Sequence, residues 1–198
     1  MSIRKFSTAS ISAGSNKSTK LWDQETFQSG MFALATVTLS ATASSITFSG
    51  IPSGYKHLQI RALARGNAAT DQDNLLVQFN GDTGGNYNSH YVYGTGSVAA
   101  AGAETGPQTT GIVGRVTGAN LTSGVFGVSI VDILDYTDTN KYTTNRTLCG
   151  VDNNGSGIVM LESSLWRNTA AVTSLNLTTG AGSFVEYSSF ALYGIKSA

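Results

Sequence analysis

The chain is 198 residues long, enough for one generous domain that buries a real core. Its 12 Lys and Arg balance 12 Asp and Glu, so no basic face for nucleic acid is expected, and copies of the chain would not repel one another. Helix formers are scarce, and short runs of β-branched and aromatic residues broken by Gly and Asn indicate an all-β fold.

Residues 1–30 differ from the rest. Arg4, Lys5, Lys17 and Lys20 precede the first acid, Asp23, and the stretch Ser12 to Asn16 reads as a linker with neither helical nor strand period. No apolar h-region marks a signal peptide, and the longest apolar run, near Met31 to Ala35, is far too short to span a bilayer, so no membrane partner is expected. Aromatic residues on so polar a segment need somewhere to dock. Residues 1–32 are therefore read as an attachment arm, with Arg4, Lys5, Phe6, Lys17, Lys20, Leu21, Trp22 and Phe27 as its partner-binding residues. The alternative is a segment that folds back over its own sandwich.

The β domain is read as residues 33–198. Residues 34–40 and 45–49 are expected to pair across the small-residue turn Ala41 to Ser44. The clearest strand follows the turn Ile51-Pro52-Ser53-Gly54, in which Pro52 presets φ and Gly54 is expected to take the positive φ. Leu58, Ile60 and Ala62 then alternate with His57, Gln59 and Arg61, and Arg61 and Arg65 are placed on a solvated or interfacial surface. Residues 74–80 point Leu75, Val77 and Phe79 inward before a glycine-rich turn at 81–85. The next strand carries Tyr87, Ser89, Tyr91 and Tyr93 on one face, with His90 and Val92 on the other.

Residues 94–111, rich in Gly and Ala, read as a long surface loop. Further strands are expected at 111–118, at 125–136 with Phe126, Val128, Ile130 and Leu134 on one face, and at 141–150, where Tyr142, Thr144, Arg146 and Leu148 alternate with polar residues. Asn154-Gly155 is a strong hairpin signal, and strands at 157–166, 172–179 and 184–196 complete the chain. About ten strands without a helix predict an antiparallel β-sandwich of jelly-roll type.

Catalytic signals are weak. His57 and His90 lie on polar strand faces without a second ligand at metal spacing, and neither a Gly-x-Ser-x-Gly elbow nor a phosphate loop occurs. The acidic groups 71–74 and Asp132, Asp135 and Asp138 match no complete Ca²⁺ loop and read as turn chemistry. Cys149, the only cysteine, reads as a small core hydrophobe. No enzyme activity, cofactor or metal is expected. Tyr87, Tyr91 and Tyr93 form an aromatic ladder that suits a core or subunit interface, or a platform stacking glycan rings; no polar cluster for sugar hydroxyls accompanies it in the sequence.

The segments FSGIPSGYKHLQIRALAR (48–65), LLVQFNGDTGGNYNSHYVYGTG (75–96), VDILDYTDTNKYTTNRTLCG (131–150), GIVMLESSLWRNTAAVTSLNL (157–177) and FALYGIK (190–196) together resemble a β-sandwich module of tailed-bacteriophage virions. Such modules occur in tail-fibre, neck and head-decoration proteins, especially of cyanophages and other aquatic phages. The leader IRKFSTASI with KLWDQETF is similar to theirs. The resemblance implies a non-enzymatic virion structural protein, assembled in the host cytoplasm, whose partners are other capsid, neck or tail proteins. It also implies a homo-oligomer, with trimers normal for closed cyclic assemblies. The alternative within the same particle is a receptor-binding module for a host-surface glycan.

Overall fold

The computed structural model describes residues 30–196. Its strands are β1 (Met31–Thr38), β2 (Ser45–Ser49), β3 (His57–Ala64), β4 (Gln72–Phe79), β5 (Tyr87–Gly94), β6 (Ala99–Gln108), β7 (Gly111–Thr117), β8 (Gly127–Leu134), β9 (Thr143–Asp152), β10 (Gly157–Trp166), β11 (Ser174–Thr179) and β12 (Ser189–Ile195). They form two packed antiparallel sheets, an eight-stranded one ordered β1-β12-β3-β8-β9-β10-β5-β6 and a four-stranded one ordered β2-β11-β4-β7. The fold is an all-β sandwich.

One long hairpin, rolled up, generates this order. Working outward from its tip, β5 pairs with β6, β4 with β7, β3 with β8, β2 with β11 and β1 with β12. Successive nested pairs fall alternately in the large and small sheets, which is the wrapping of a jelly roll. The strands β9 and β10 are a meander inserted after β8, and they widen the large sheet between β8 and β5.

Several local expectations change. β1 begins at Met31, so Met31 and Phe32 belong to the sandwich rather than to the arm; the Phe32 ring lies 5.7 Å from Tyr55, with Lys196 Nζ 5.2 Å from its centroid. β1 and β2 do not pair: the connection between them crosses from one sheet to the other. The positive φ before the third strand is at Gly50, at 64°, and not at Gly54. Residues 94–111 are mostly strand, because β6 closes the hairpin tip along the edge of the large sheet. An edge strand tolerates Pro107. Gly102 is needed there because a Cβ at that position would lie 2.6 Å from Tyr91 Cζ.

The apolar core fills one half of the sandwich. Leu58 and Ile60 of β3, Phe190 and Leu192 of β12, Leu75, Val77 and Phe79 of β4, and Leu175 and Leu177 of β11 are all buried there, as period-two alternation requires. The other half is built differently. On β8 to β10 the inner face is mixed: Val131, Ile133, Cys149, Val151, Ile158, Met160 and Trp166 share it with Gly127 and Ser129, Thr143, Asn145 and Thr147, and Glu162 and Ser164. Strand β7 lies against them so closely that it needs glycine. A Cβ on Gly111 would come 2.8 Å from Ser164 Oγ, and one on Gly114, whose φ is 139°, would overlap Ser129 Oγ. Small side chains fit where β7 comes closest, and the outer face of these strands carries large apolar residues as well as the inner one.

Candidate functional site

Arg4, Lys5, Phe6, Lys17, Lys20, Leu21, Trp22 and Phe27, the residues read as the arm's contacts, lie outside the described residues. The tyrosine ladder is within them, and its three members have different fates. Tyr87 is fully buried and stacks on Trp166 and Phe79, with centroids 6.4 Å away in each case. Its hydroxyl accepts the Phe79 N–H at 2.9 Å and donates to the Asp82 carbonyl at 3.3 Å, while burial pushes the phenol up to about 12. The Asp82 carboxylate in turn accepts from Trp166 Nε1 at 2.7 Å, Asn86 Nδ2 at 2.9 Å and the Gly84 N–H at 2.8 Å, and these bonds hold its pKa below the usual range. Tyr87 is thus a pillar that ties the β4–β5 crossover to the core, and no glycan or subunit reaches it.

Tyr91 and Tyr93 stay half-buried on the same inward face, their rings 6.3 Å apart, where the four-stranded sheet no longer covers β5 and β6. They pack beside a small second core of Cys149, Val151, Ile158 and Met160. Cys149 behaves as expected of a core hydrophobe, and burial raises its thiol to about 11.

A polar cluster neighbours the tyrosines, but it is buried and so is not one for sugar hydroxyls. Glu162 sits opposite Tyr91 on one side and Thr147 on the other, and Ser164 sits opposite Ser89 and Asn145. The signal for it was the polar in-facing positions of three neighbouring strands, which only the pairing register brings together. Glu162 is 1% exposed, and neither carboxylate oxygen has a hydrogen bond of normal geometry. Asn145, Thr147 and Ser164 also have side-chain polar atoms without a partner. Burial pushes the Glu162 carboxyl up to about 7; the Arg115 charge and the Ser89 hydroxyl oppose the shift and Glu104 adds to it. A carboxyl so enclosed can hold or release a proton at neutral pH, yet it has no surface for a substrate.

The remaining candidates are structural. His57 Nδ1 accepts the Asp135 backbone N–H at 3.0 Å, and His90 is exposed on the outer face. Asp135 is held by Lys56 at 2.9 Å and by Lys141, whose hydrogen bond is the main reason its carboxyl falls to about 2. Asp138 faces Lys141 at 3.4 Å and Asp132 faces Arg146 at 3.1 Å, so cationic side chains of the chain itself answer all three carboxylates. Among the described residues no group of three or more His, Cys, Asp or Glu is placed to hold a metal. Arg65 is half-buried and not free: its guanidinium donates to the carbonyls of Leu121 at 2.8 Å, Thr122 and Val125 at 3.1 Å and Ala119 at 3.4 Å, and so clamps the β7–β8 loop.

The largest unusual surface is the outer face of the eight-stranded sheet. Pairing aligns Arg61, Ile130, Leu148, Leu161, Val92 and Ala101 in one row across six strands. The adjacent row carries Leu63, Val128 and Val159, and Leu134 lies on the other side. All eight large residues here, Leu63, Val92, Val128, Ile130, Leu134, Leu148, Val159 and Leu161, are exposed. Three shallow depressions of about 570, 440 and 370 Å³ open onto this same face. The sequence displayed both faces of β8 and β9, but periodicity alone does not say which one is buried.

No family model matches the chain, and no curated protein or solved structure is significantly similar to it.

Proposed function

We propose that the protein is a non-enzymatic structural subunit of a tailed-phage virion, in its fibre, neck or capsid decoration. It attaches to other virion proteins through the N-terminal arm that precedes β1, works as a homo-oligomer and is assembled in the host cytoplasm. The virion assignment rests on the resemblance of the segments between residues 48 and 196 to that module. The observation that carries an assembly role is the exposed apolar sheet face, since larger exposed apolar patches mark interaction sites. A non-catalytic role is supported by where the titratable groups go: Asp82, Asp132, Asp135 and Asp138 are engaged in loops and ion pairs, and Glu162 is sealed inside. Gold-labelled antibody against the sandwich, applied to purified particles, tests the reading. Labelling at one fixed position on the particle is expected; particles that never label, from lysates that contain the protein, would refute it.

A second reading, a glycan-binding receptor module, is favoured by one observation: Tyr91 and Tyr93 lie side by side and half-exposed at an open flank of the sandwich. A glycan array read with the wild type and with Tyr91→Ala decides it. Binding lost in a folded variant would establish this reading, and no binding by the wild type would remove it.

A further inference from the structure

We infer that the outer face of the eight-stranded sheet is an interface between two copies of this chain, packed sheet against sheet about a two-fold axis. The inference stands whether or not the protein belongs to a virion. It starts from the strands that lie under β7. Beneath β7 the sheet buries Ser129, Asn145, Thr147, Glu162 and Ser164, while the same strands present Ile130, Leu148, Val159 and Leu161 to the outside. Strands with one solvated face carry polar residues on that face; here Asp132, Thr144, Arg146 and Ser163 do so, but exposed aliphatic side chains occupy the rows beside them.

Area and charge select a second copy as the occupant. Eight strands at about 4.8 Å spacing and eight residues at about 3.3 Å rise give a face of roughly 34 by 26 Å, on the order of 900 Å². A stable interface needs about 800 Å² from each partner. A two-fold contact brings one patch against itself, so the patch must be self-complementary. This one meets the condition: its central row is aliphatic, and its cation Arg146 is answered within the copy by Asp132 at 3.1 Å. Arg61 is likewise occupied, stacked 5.1 Å above the Tyr193 ring and donating to Gln59 at 3.0 Å. No block of one sign repels a twin, and the chain as a whole is neutral. β9, which carries Leu148, has β1, β12, β3 and β8 on one side and β10, β5 and β6 on the other, so a two-fold axis near it would overlay almost the whole face.

Sedimentation of the full chain between 1 and 100 μM tests this, with two variants beside it. Val159→Lys alters the most exposed apolar residue on the face, at 63%, and Leu148→Lys one that is 56% exposed, so neither disturbs packing within a copy. Thr47→Lys, on the outer face of the four-stranded sheet, is the control. The wild type and the control are expected to be dimers, and each face variant to dissociate at least 100-fold more readily with unchanged circular dichroism. A wild type monomeric at 100 μM would overturn the inference and leave residues 1–29 or another protein as the cover. So would a trimer, which a two-fold contact cannot build, or a dimer that neither face variant weakens.

Discussion

At the scale of single residues, three positions do work that their residue types do not announce. Glu162 is the sharpest case because its burial has a pH signature. Below pH about 4.5 the folded and unfolded chains both hold its proton, and the site costs nothing. As the pH rises, the unfolded chain releases that proton first, so stability falls until the folded carboxyl also ionises near pH 7. The displacement from 4.5 to about 7 corresponds to about 3 kcal/mol. Urea denaturation of the wild type and of Glu162→Gln should therefore show the variant gaining about 3 kcal/mol on the wild type between pH 4 and pH 8; a gap that stays constant would contradict the buried carboxyl. Gly114→Ala forces a Cβ onto Ser129 Oγ and should cost on the order of 2–4 kcal/mol, with part of the loss recovered by adding Ser129→Gly. Arg65→Met should remove about 2–3 kcal/mol and speed amide exchange across residues 119–125, since it takes away donors that four carbonyls share.

At the scale of elements, local turn chemistry and clean alternation were legible in the sequence, and pairing was not. The β9–β10 hairpin forms where Asn154-Gly155 places it, with φ of 49° and 109° and the Asn153 N–H donating to the Ser156 carbonyl at 2.8 Å. Gly155→Val should destabilise the protein by about 1–2 kcal/mol in thermal denaturation, because a β-branched residue resists positive φ. β3 and β4 were equally readable, since Leu58, Ile60, Leu75, Val77 and Phe79 alternate and are buried. β6 was missed because Ala, Gly and Pro give no strand signal; its backbone pairing to β5 and the Tyr91 ring over Gly102 hold it. Adjacent β1 and β2 were expected to pair because they are neighbours in sequence, whereas nesting sends each to a strand more than 100 residues away. The polar cluster around Glu162 was hidden for the same reason: its members come from β5, β9 and β10, and register alone gathers them.

At the scale of the whole molecule, the rolled hairpin makes a sandwich whose described residues bury a continuous apolar core. Deleting residues 1–29 should leave the β-sheet circular dichroism nearly unchanged while abolishing incorporation into particles; a truncated chain that unfolds would place the segment in the sandwich instead. Within full-length chains, Trp22→Ala or Phe27→Ala should each weaken attachment by about 2–4 kcal/mol, and Lys20→Ala by much less. An assembly role requires the outer face of the large sheet to be covered in the native protein. Hydroxyl-radical footprinting of the full chain reads side-chain cover directly. At 100 μM, Ile130, Leu148 and Leu161 should be protected nearly as well as buried Leu175, while Tyr187, 68% exposed, reacts freely; on dilution to 1 μM that protection should fall away. Leucines on this face that react at 100 μM as fully as their exposure in a single copy allows would contradict it.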